Sequence, residues 1–481
     1  MGRINTNVAA LISQHRLGRS QRDLSVTLER LSSGLRINRG ADDPAGLIAS
    51  ENLRSEIGGV KQAIDNSQRA INVIATAEGS LNEVAAMLVD IQRLVVQAAN
   101  SGAMSPDEIK ANQLQIDSAI DSITRIANTT TFAGLRLLDG SLDYQTTGVS
   151  AADIQSLQIH RANFGTRSAI PVSIEVTQSA QKAGLYFLGA GIASASTIEV
   201  KGKDGGVSIV LNASAKASAI MAAVNNQTDV TGVKAEYITA SNPASGIIFR
   251  SVEYGSDAFV SVKALTGGAF TVKKAPGDAT GVEIDEGQDA EATINGHRSV
   301  GRGLELSLNT TSLDMTVRLA EAFGTGTTSF AITGGGALFQ LGPKVDSNQQ
   351  VNVGIQSVAA SRLGNGVVGY LSQIGTDGDY SLLVDGGARQ ASLIVKEAIR
   401  QVSVLRGRLG SFERNTLQTN VNALNITMEN LTSAESSIRD ADFAAETANL
   451  TRSQILVQAG TSVLSMANST PQSVLSLLGG R

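Results

Sequence analysis

Apolar residues recur in alternating steps of three and four residues near both ends of this 481-residue chain, and no other feature constrains its fold as strongly. The longest series consists of Ile57, Val60, Ile64, Ile71, Ile74, Leu81, Leu88 and Val95. Because an α-helix completes a turn in about 3.6 residues, these side chains form one stripe along a single long helix. We expect that helix to end near Asn100. The string Ser105-Pro106-Asp107-Glu108 predicts the capping box of the helix that follows.

The C-terminal part repeats the pattern in three pieces. They consist of Val402, Leu405, Leu409 and Phe412; after a phase slip, of Leu417, Val421, Leu424, Met428, Leu431 and Ile438; and, at seven-residue intervals, of Phe443, Leu450, Val457 and Leu464. The N-terminal stripe consists of Ile4, Val8, Leu11, Leu17, Leu24, Leu28, Leu31 and Leu35. Each seam alone is compatible with an intramolecular helical bundle. Two such short terminal helices bury too little apolar surface to offset their ordering entropy, so we expect them to order by packing against other copies.

The middle of the chain differs in composition and in period. Residues 1–131 contain no aromatic residue, whereas Val and Ile alternate with polar residues at 173–177, 197–201 and 208–211. This alternation predicts short antiparallel strands, interrupted by a helix over 217–226. The expected fold class is α+β and multidomain, with long coiled-coil-like helices from both termini forming the core around a β-rich central insertion.

Residue types that the chain lacks or isolates argue against several classes of function. It contains no cysteine, and its histidines, His15, His160 and His297, are too far apart for a His-x-x-x-His metal pair. The acidic stretch 285–289 lacks a complete calcium loop. We therefore expect no catalytic residue, no metal site and no cofactor.

Interaction with nucleic acid or insertion in a membrane is not expected either. The formal net charge is −5, which provides no general attraction to nucleic acid. No run approaches the roughly 18 apolar residues of a membrane span. The N-terminal residues lack the apolar segment of a cleaved signal peptide.

Distinctive strings occur at both ends of the chain. They are INTNVAALISQHRL at 4–17, LERLSSGLRINRGADDPAGLIASENLRSEI at 28–57, ATAEGSLNEV at 75–84, TTTFAGLRLLDG at 129–140, and LTSAESSIRDADFAAETANLTRSQILVQAGTSVLSMANSTPQSVLSLL at 431–478. These strings resemble the terminal regions of the bacterial flagellins, the subunits of the flagellar filament. The resemblance covers about 1–160 and 388–481, roughly half of the chain.

The resemblance implies a structural subunit, not an enzyme, that self-assembles into a helical filament for swimming motility. The implied domains are an N-terminal inner-tube helix at 1–44, N-terminal rod helices plus a β-hairpin at 45–165, one or more variable β-rich surface domains at 166–345, a C-terminal rod helix region at 346–436, and a C-terminal inner-tube helix at 437–481. The protein is then extracellular and leaves the cell through the flagellar type III export apparatus without a cleaved signal. Implied partners are further copies of the chain, an export chaperone, the filament cap and the hook-junction proteins.

Specific residues near the two ends are candidates for these contacts. We expect inter-subunit packing by Leu24, Leu28, Leu31, Leu35, Leu450, Ile455, Val457 and Leu464. Chaperone binding is expected of Leu450, Ile455, Leu456, Val463 and Leu464. A polar turn of Arg30, Arg36, Arg39, Asp42 and Asp43 either forms ion pairs between subunits or is a solvated turn within one chain. In this turn Gly34 permits a helix to end, and Asp43 precedes Pro44 as the N-cap of the next helix.

The sequence departs from the family in the region that the vertebrate innate receptor recognises. Asp90 stands where recognised flagellins have an arginine, Gln115 stands in place of a glutamate, and Leu94 is retained. A carboxylate cannot supply the hydrogen-bond fork of an arginine. We therefore expect weak or absent receptor activation.

Two alternatives share parts of the pattern. A hook–filament junction protein has similar ends, and copy number would distinguish it from a filament subunit. A filament subunit with an adhesive surface domain could bind carbohydrate through Tyr237, Phe249 and Tyr254. A small β-domain core is the other use of these aromatic residues.

Overall fold

The computed structural model describes residues 6–100, 102–165, 167–266 and 270–478, with side chains as far as residue 470. Ile4 of the N-terminal stripe lies outside these residues. The α-helices of the described residues are α1 (Val8–Ser33), α2 (Pro44–Ala98), α3 (Pro106–Thr129), α4 (Ala217–Asn225), α5 (Thr228–Thr231), α6 (Gly387–Phe412), α7 (Thr419–Arg439) and α8 (Phe443–Leu478). Among the described residues, no helix is both long and apolar enough to cross a membrane.

The chain divides into two compact units. The first comprises Met1–Arg69, Gln340–Val345 and Asn415–Arg481, and the second Ala70–Phe339 and Asp346–Arg414. In the first unit, Val60 and Ala63 of α2 pack against Leu424 of α7. Asn420 Nδ2 reinforces this contact by donating hydrogen bonds to Ser67 Oγ at 3.1 Å and to the Leu341 carbonyl at 2.8 Å.

The helix boundaries follow local signals in the sequence. Gly34 ends α1 with φ of 72°, a left-handed conformation that glycine adopts without steric cost. Asp43 Oδ1 accepts a 2.9 Å hydrogen bond from the Gly46 amide, and α2 begins at Pro44 as expected. The capping box of α3 is also confirmed, because Ser105 and Glu108 exchange both of its hydrogen bonds.

The phase slip in the C-terminal seam has a structural counterpart. Between α6 and α7 the backbone forms a π-helix over Glu413–Gln418. A π-turn contains one residue more than an α-turn, so the stripe after it is rotated relative to the stripe before it. Leu409 before this segment and Leu417 within it are both buried, which accounts for the break in the spacing.

In the second unit, the remainder of α2, α3 and α6 bury the predicted stripes. Ile74, Leu81 and Leu88 of α2 are 0% exposed. Gln92 Nε2 donates a 3.0 Å hydrogen bond to Ser392 Oγ of α6. The expected β-hairpin is present, formed by β1 (Thr131–Phe132) and β2 (Leu135–Arg136).

A buried glutamine fastens a loop to α3. Gln113 is 1% exposed, and its Oε1 accepts hydrogen bonds from the Leu382 amide at 2.9 Å and Ser381 Oγ at 3.2 Å. Its Nε2 donates to the Ile374 carbonyl at 2.9 Å and to Asp117 Oδ1 at 2.8 Å. Every polar position of this amide therefore has a partner, as a buried amide requires.

The other strands form two β-cores and short hairpins. They are β3 (Tyr144–Thr147), β4 (Ile154–Ala162), β5 (Ile170–Gln178), β6 (Gly184–Phe187), β7 (Ser196–Gly202), β8 (Gly206–Leu211), β9 (Val233–Tyr237), β10 (Ile247–Ser251), β11 (Phe259–Thr266), β12 (Ile284–Glu286), β13 (Glu291–Ile294), β14 (His297–Arg298), β15 (Val300–Arg302), β16 (Glu305–Asn309), β17 (Leu313–Leu319), β18 (Gly326–Gly335), β19 (Ala337–Gln340), β20 (Gln350–Val353), β21 (Gly364–Asn365) and β22 (Gly369–Tyr370). The strands predicted at 173–177, 197–201 and 208–211 and the helix at 217–226 are confirmed.

The first β-core lies between sheets of order β14-β13-β5-β18-β3 and β15-β16-β17-β4. Ile174, Leu306, Met315 and Ile332 are fully buried in it. The strands β3 and β4 precede residue 166 and pair with β18 and β17, so this core extends to both sides of the domain boundary expected at 165.

The second β-core is formed by sheets of order β12-β11-β7-β8 and β6-β10-β9 together with α4. The rings of Phe187 and Phe270 stack in it with their centroids 4.3 Å apart. The two cores are joined where Gln181 and Gln288 lie side by side and exchange two backbone hydrogen bonds of 2.9 Å. The chain therefore passes from the first core into the second and returns to the first at the same place.

A histidine is buried where the first β-core meets α6. His160 of β4 accepts a hydrogen bond at Nδ1 from Arg408 of α6, and its Nε2 lies 3.3 Å from Thr316 Oγ1 of β17. Because Nδ1 is the acceptor, the ring proton resides on Nε2 and is donated to Thr316. Burial and the Arg408 charge lower the pKa of His160 to about 3, so the ring is neutral near pH 7.

Candidate assembly surface

The two terminal helices, α1 and α8, pair with each other in antiparallel orientation. Asn7, the N-cap of α1, accepts a 3.0 Å hydrogen bond at Oδ1 from the Ala10 amide and donates a 2.7 Å bond from Nδ2 to the Ala467 carbonyl. At the other end of α1, Arg30 Nη1 lies 3.2 Å from Glu446 Oε1. The start of α1 thus contacts the later part of α8, and its end contacts the beginning of α8.

One face of α8 covers α1. This inward face follows strict steps of four and three residues, and its members are Glu446, Leu450, Ser453, Val457, Gly460, Leu464 and Ala467. All seven are buried or half-buried. At Gly460 a side-chain Cβ would lie only 3.2 Å from Leu17 Cδ1, so the absent side chain allows a close approach of the two helices.

A second, outward face of α8 also carries apolar residues, which the described part of the chain leaves at least half exposed. This outward face contains Ile455, Leu456, Val463 and Met466, which are between 50% and 70% exposed. Ala448, Thr451, Arg452, Ile455 and Leu456 line a shallow depression on it. On α1, Val8, Leu11, Ile12 and Val26 are exposed as well. An apolar surface of this kind marks an interaction site on a soluble protein.

The eight residues predicted to pack between subunits do not lie on one surface. Leu24, Leu31, Leu35, Leu450, Val457 and Leu464 are half-buried within the chain, whereas Leu28 and Ile455 are exposed. Of the α8 members, Leu450, Val457 and Leu464 belong to the inward face. The sequence identifies apolar stripes but does not say which stripe the chain itself covers.

The charged residues of the predicted polar turn have partners within the chain. Arg30 contacts Glu446, Arg39 Nη2 lies 2.9 Å from Glu29 Oε1, and Arg36 Nη1 lies 3.9 Å from Asp43 Oδ2. Glu51 Oε1 lies 3.0 Å from Arg439 Nη1. These contacts match the interpretation as a turn within one chain, and an inter-subunit role for the charges stays a prediction.

Asp42 organises the backbone of this turn. Its Oδ2 accepts hydrogen bonds from the amides of Arg39 at 2.9 Å and Asn38 at 3.1 Å. These two bonds favour the charged form and lower the pKa of the Asp42 carboxyl.

The residues predicted for chaperone binding separate between the two faces of α8. Ile455, Leu456 and Val463 are exposed on the outward face. Leu450 and Leu464 lie on the inward face against α1. On the folded pair, the first three are therefore more accessible to a partner than Leu450 and Leu464.

In the receptor region, the three predicted residues differ in accessibility. Asp90 is exposed on α2, with its Oδ1 3.7 Å from Arg93 Nε, and Gln115 is exposed on α3. Leu94 is only 4% exposed and therefore offers no surface to a partner.

The aromatic residues considered for carbohydrate binding do not form a common stacking face. Phe249 is 0% exposed in the second β-core, and Tyr237 packs against the same core. Tyr254 packs against the first core, with Lys182 Nζ 4.6 Å from its ring centroid. Phe249 is therefore a core residue, which agrees with the alternative of a small β-domain core and not with a stacking face. Within the described part of the chain, no group of three or more His, Cys, Asp or Glu side chains could hold a metal ion.

Comparisons with known proteins agree with the paired terminal helices. A family model described as the bacterial flagellin N-terminal helical region matches residues 4–143, and one described as the bacterial flagellin C-terminal helical region matches 393–478. The B-type flagellin of Pseudomonas aeruginosa is 31% identical over 516 residues, covering 99% of both chains. Flagellin B of Helicobacter pylori is 30% identical over 530 residues, again covering 99% of both chains.

The chain belongs to the bacterial flagellin family. It is thus a structural subunit of the flagellar filament, an extracellular polymer of flagellin, as the terminal strings predicted. The α+β multidomain fold class is also confirmed. The solved structure of FliC from Burkholderia pseudomallei is similar to 73% of this flagellin and 99% of that chain, with 16% identity and a TM-score of 0.23.

The apolar pattern of the sequence does not predict every residue with which this flagellin pairs its terminal helices. Glu446, Ser453, Gly460 and Ala467 recur every seven residues, in parallel with Leu450, Val457 and Leu464. They are polar or small, so a search for apolar positions passes over them. Their heptad spacing was the signal that could have revealed them.

Proposed function

We propose that this flagellin assembles by covering the outward face of each α1–α8 pair with neighbouring copies. One observation carries the proposal: α8 bears apolar residues on the inward face that α1 covers and others on the outward face that the described residues leave at least half exposed. Fully burying a side chain such as Ile or Leu contributes about 1.5–3 kcal/mol. Repeated head-to-tail contacts that do not close into a ring generate a helical filament.

A charge placed on the outward face tests this proposal. Ile455→Asp puts a carboxylate on the outward face, next to Leu456, where covering by a neighbouring copy would remove the charge from water at a cost in free energy. We expect the variant to remain monomeric at concentrations at which the unmodified flagellin sediments as filaments. Gln454→Asp is the matched control, because it places the same side chain at the adjacent exposed position. Normal filaments from Ile455→Asp would contradict the proposal.

The paired ends further support an inner position for both terminal segments. We propose that 1–44 and 437–481 form the inner tube, that 45–165 and 346–436 form the surrounding rod, and that 166–345 lies at the surface. Deletion of 441–481 removes α8 and exposes the covered side of α1. We expect a soluble monomer that does not polymerise, and polymerisation of this truncation would exclude an essential role for α8.

We also propose that an export chaperone binds α8 before assembly. Ile455, Leu456 and Val463 are accessible on the folded pair, whereas Leu450 and Leu464 become accessible only when α8 leaves α1. Titration of the purified flagellar chaperone of the same bacterium with Val463→Asp and Leu464→Asp separates the two modes. Loss of affinity in Val463→Asp alone indicates binding to the folded pair, and loss in both indicates binding to a released α8. Full affinity in both variants would exclude α8 as the binding segment.

Export through the flagellar apparatus is part of the same proposal, as are contacts of the ends with the cap and hook-junction proteins. The proposed role involves no chemical reaction. We expect the filament protein to retain its N-terminal segment after export. Intact-mass measurement of protein from sheared filaments tests this. Loss of an N-terminal peptide, beyond removal of Met1 alone, would contradict it.

A further inference from the structure

The methionines of this flagellin differ in accessibility. Among those whose side chains the structure describes, Met315 is 0% exposed, Met87, Met104, Met221 and Met428 are half-buried, and Met466 is 70% exposed. Met466 lies on the outward face of α8, three residues after Val463. The most accessible described thioether is therefore part of the surface that assembly would cover.

We propose that Met466 is a modification site, at which oxidation to the sulfoxide by a hydroperoxide prevents the flagellin from assembling. The inference rests on the proposed function of the outward face. In the reaction, a lone pair of the Met466 sulfur attacks one peroxide oxygen, and the O–O bond breaks as the S–O bond forms. The sulfur loses two electrons, and the remaining oxygen leaves after proton transfer as the alcohol of the hydroperoxide, or as water when the oxidant is hydrogen peroxide. A thiol-dependent methionine sulfoxide reductase reverses the change.

The position of Met466 explains why this one oxidation would matter. A sulfoxide is polar and has a strong hydrogen-bond acceptor, whereas Val463, one helical turn before it, offers an apolar side chain. Burying an acceptor without a donor costs free energy that the thioether does not cost. In the filament a neighbouring copy covers the Met466 sulfur, so Met466 should oxidise faster in the monomer than in the filament.

Limited oxidation of the full-length monomer with hydrogen peroxide tests the inference. Trypsin cleaves after Arg452, and Met466 is the sole methionine of the resulting 453–481 peptide, so mass spectrometry reads its oxidation directly. We expect Met466 to oxidise before the other methionines whose side chains the structure describes, and the critical concentration for polymerisation to rise roughly tenfold. Reductase treatment should restore it. Met466→Leu, compared with its own untreated sample, should show no peroxide-dependent rise in the critical concentration, while the control Met428→Leu should respond like the unmodified chain.

Each outcome has a distinct meaning. Prior oxidation of another methionine described by the structure, or an unchanged critical concentration after oxidation of Met466, would overturn the inference. Equal oxidation rates of Met466 in monomer and filament would also overturn it, because the sulfur would not be covered. If the untreated flagellin does not polymerise at all, the proposed function fails instead. Should Met466→Leu fold poorly, the reductase experiment on the unmodified chain gives the same decision.

Discussion

Asn7 and Ala467 are 460 positions apart in the sequence, yet Asn7 Nδ2 donates a 2.7 Å hydrogen bond to the Ala467 carbonyl. The same side chain caps α1 by accepting a bond from the Ala10 amide. One residue thus both starts the first helix and attaches it to the last. The terminal helices form a specific pair and not merely two stripes that happen to be apolar.

Substitutions of Asn7 should weaken assembly by an amount that depends on which of its two hydrogen bonds is lost. Asn7→Ala removes both the cap and the bond to Ala467, and an N-cap alone contributes typically about 1 kcal/mol. We expect the critical concentration for polymerisation to rise roughly tenfold. Asn7→Ser keeps a capping oxygen but is too short to reach Ala467, so its effect should be smaller. Equal effects of the two variants would show that the cap contributes nothing, and an Asn7→Ser variant that polymerises like the unmodified chain would show that the bond to Ala467 contributes nothing.

Gln113 should be far more sensitive to substitution than its neighbour Gln115. Gln113→Ala leaves the Leu382 amide and the Ile374 carbonyl without their buried partners, and we expect a loss of about 2–4 kcal/mol in the free energy of unfolding. Gln115→Ala changes an exposed position and should stay within about 0.5 kcal/mol. Urea unfolding of the monomer, followed by circular dichroism, measures both. Similar stabilities would mean that the loop of 374–382 is not held through this amide.

His160 predicts a loss of stability in acid. The unfolded histidine binds a proton below about pH 6.5, whereas the folded side chain does so only below about pH 3. Between these values the unfolded state binds more protons, so stability falls as the pH falls, by up to about 1.4 kcal/mol per pH unit. Stability should be independent of this group above pH 6.5.

His160→Gln isolates that contribution. Its amide oxygen can accept the bond from Arg408 and its amide nitrogen can donate to Thr316, but it does not titrate. We expect the variant to lose less stability than the unmodified flagellin between pH 6 and pH 4, as measured by urea unfolding at each pH. Parallel pH profiles would contradict the burial of a neutral histidine.

The exposed carboxylate of Asp90 predicts weak activation of the innate receptor. Asp90→Arg should increase activation in a reporter-cell assay with purified monomer, because it supplies a guanidinium at an accessible position of α2. Glu83→Arg, a charge reversal at another exposed acidic position of α2, controls for the change in net charge. Strong activation by the unmodified monomer would exclude the prediction.

The features that the sequence predicted are those encoded by neighbouring residues. Gly34, the Asp43-Pro44 pair and the Ser105 capping box are local signals, and the structure confirms each of them. The slip after Phe412 is also local, and it corresponds to the π-helix. In each case the physical cause lies within one or two helical turns.

The features that the sequence did not predict depend on distant partners. Nothing near Gln113 reveals that residues 374–382 will surround it. The alternation in the middle predicts strands but not their division into two cores, because β3 pairs with β18 across almost the whole insertion. The stripes on α8 are visible, but only the position of α1 decides which one is covered.

The junction at Gln181 and Gln288 bears on how this flagellin can diversify. The two connections of the second β-core to the first run side by side at this junction. They therefore involve only one short segment of the first core. An inserted domain of another size or composition can replace the second core there while the strands of the first core keep their register. With 166–345 at the filament surface, as proposed, such a change would alter the exterior of the filament and leave α1 and α8 untouched.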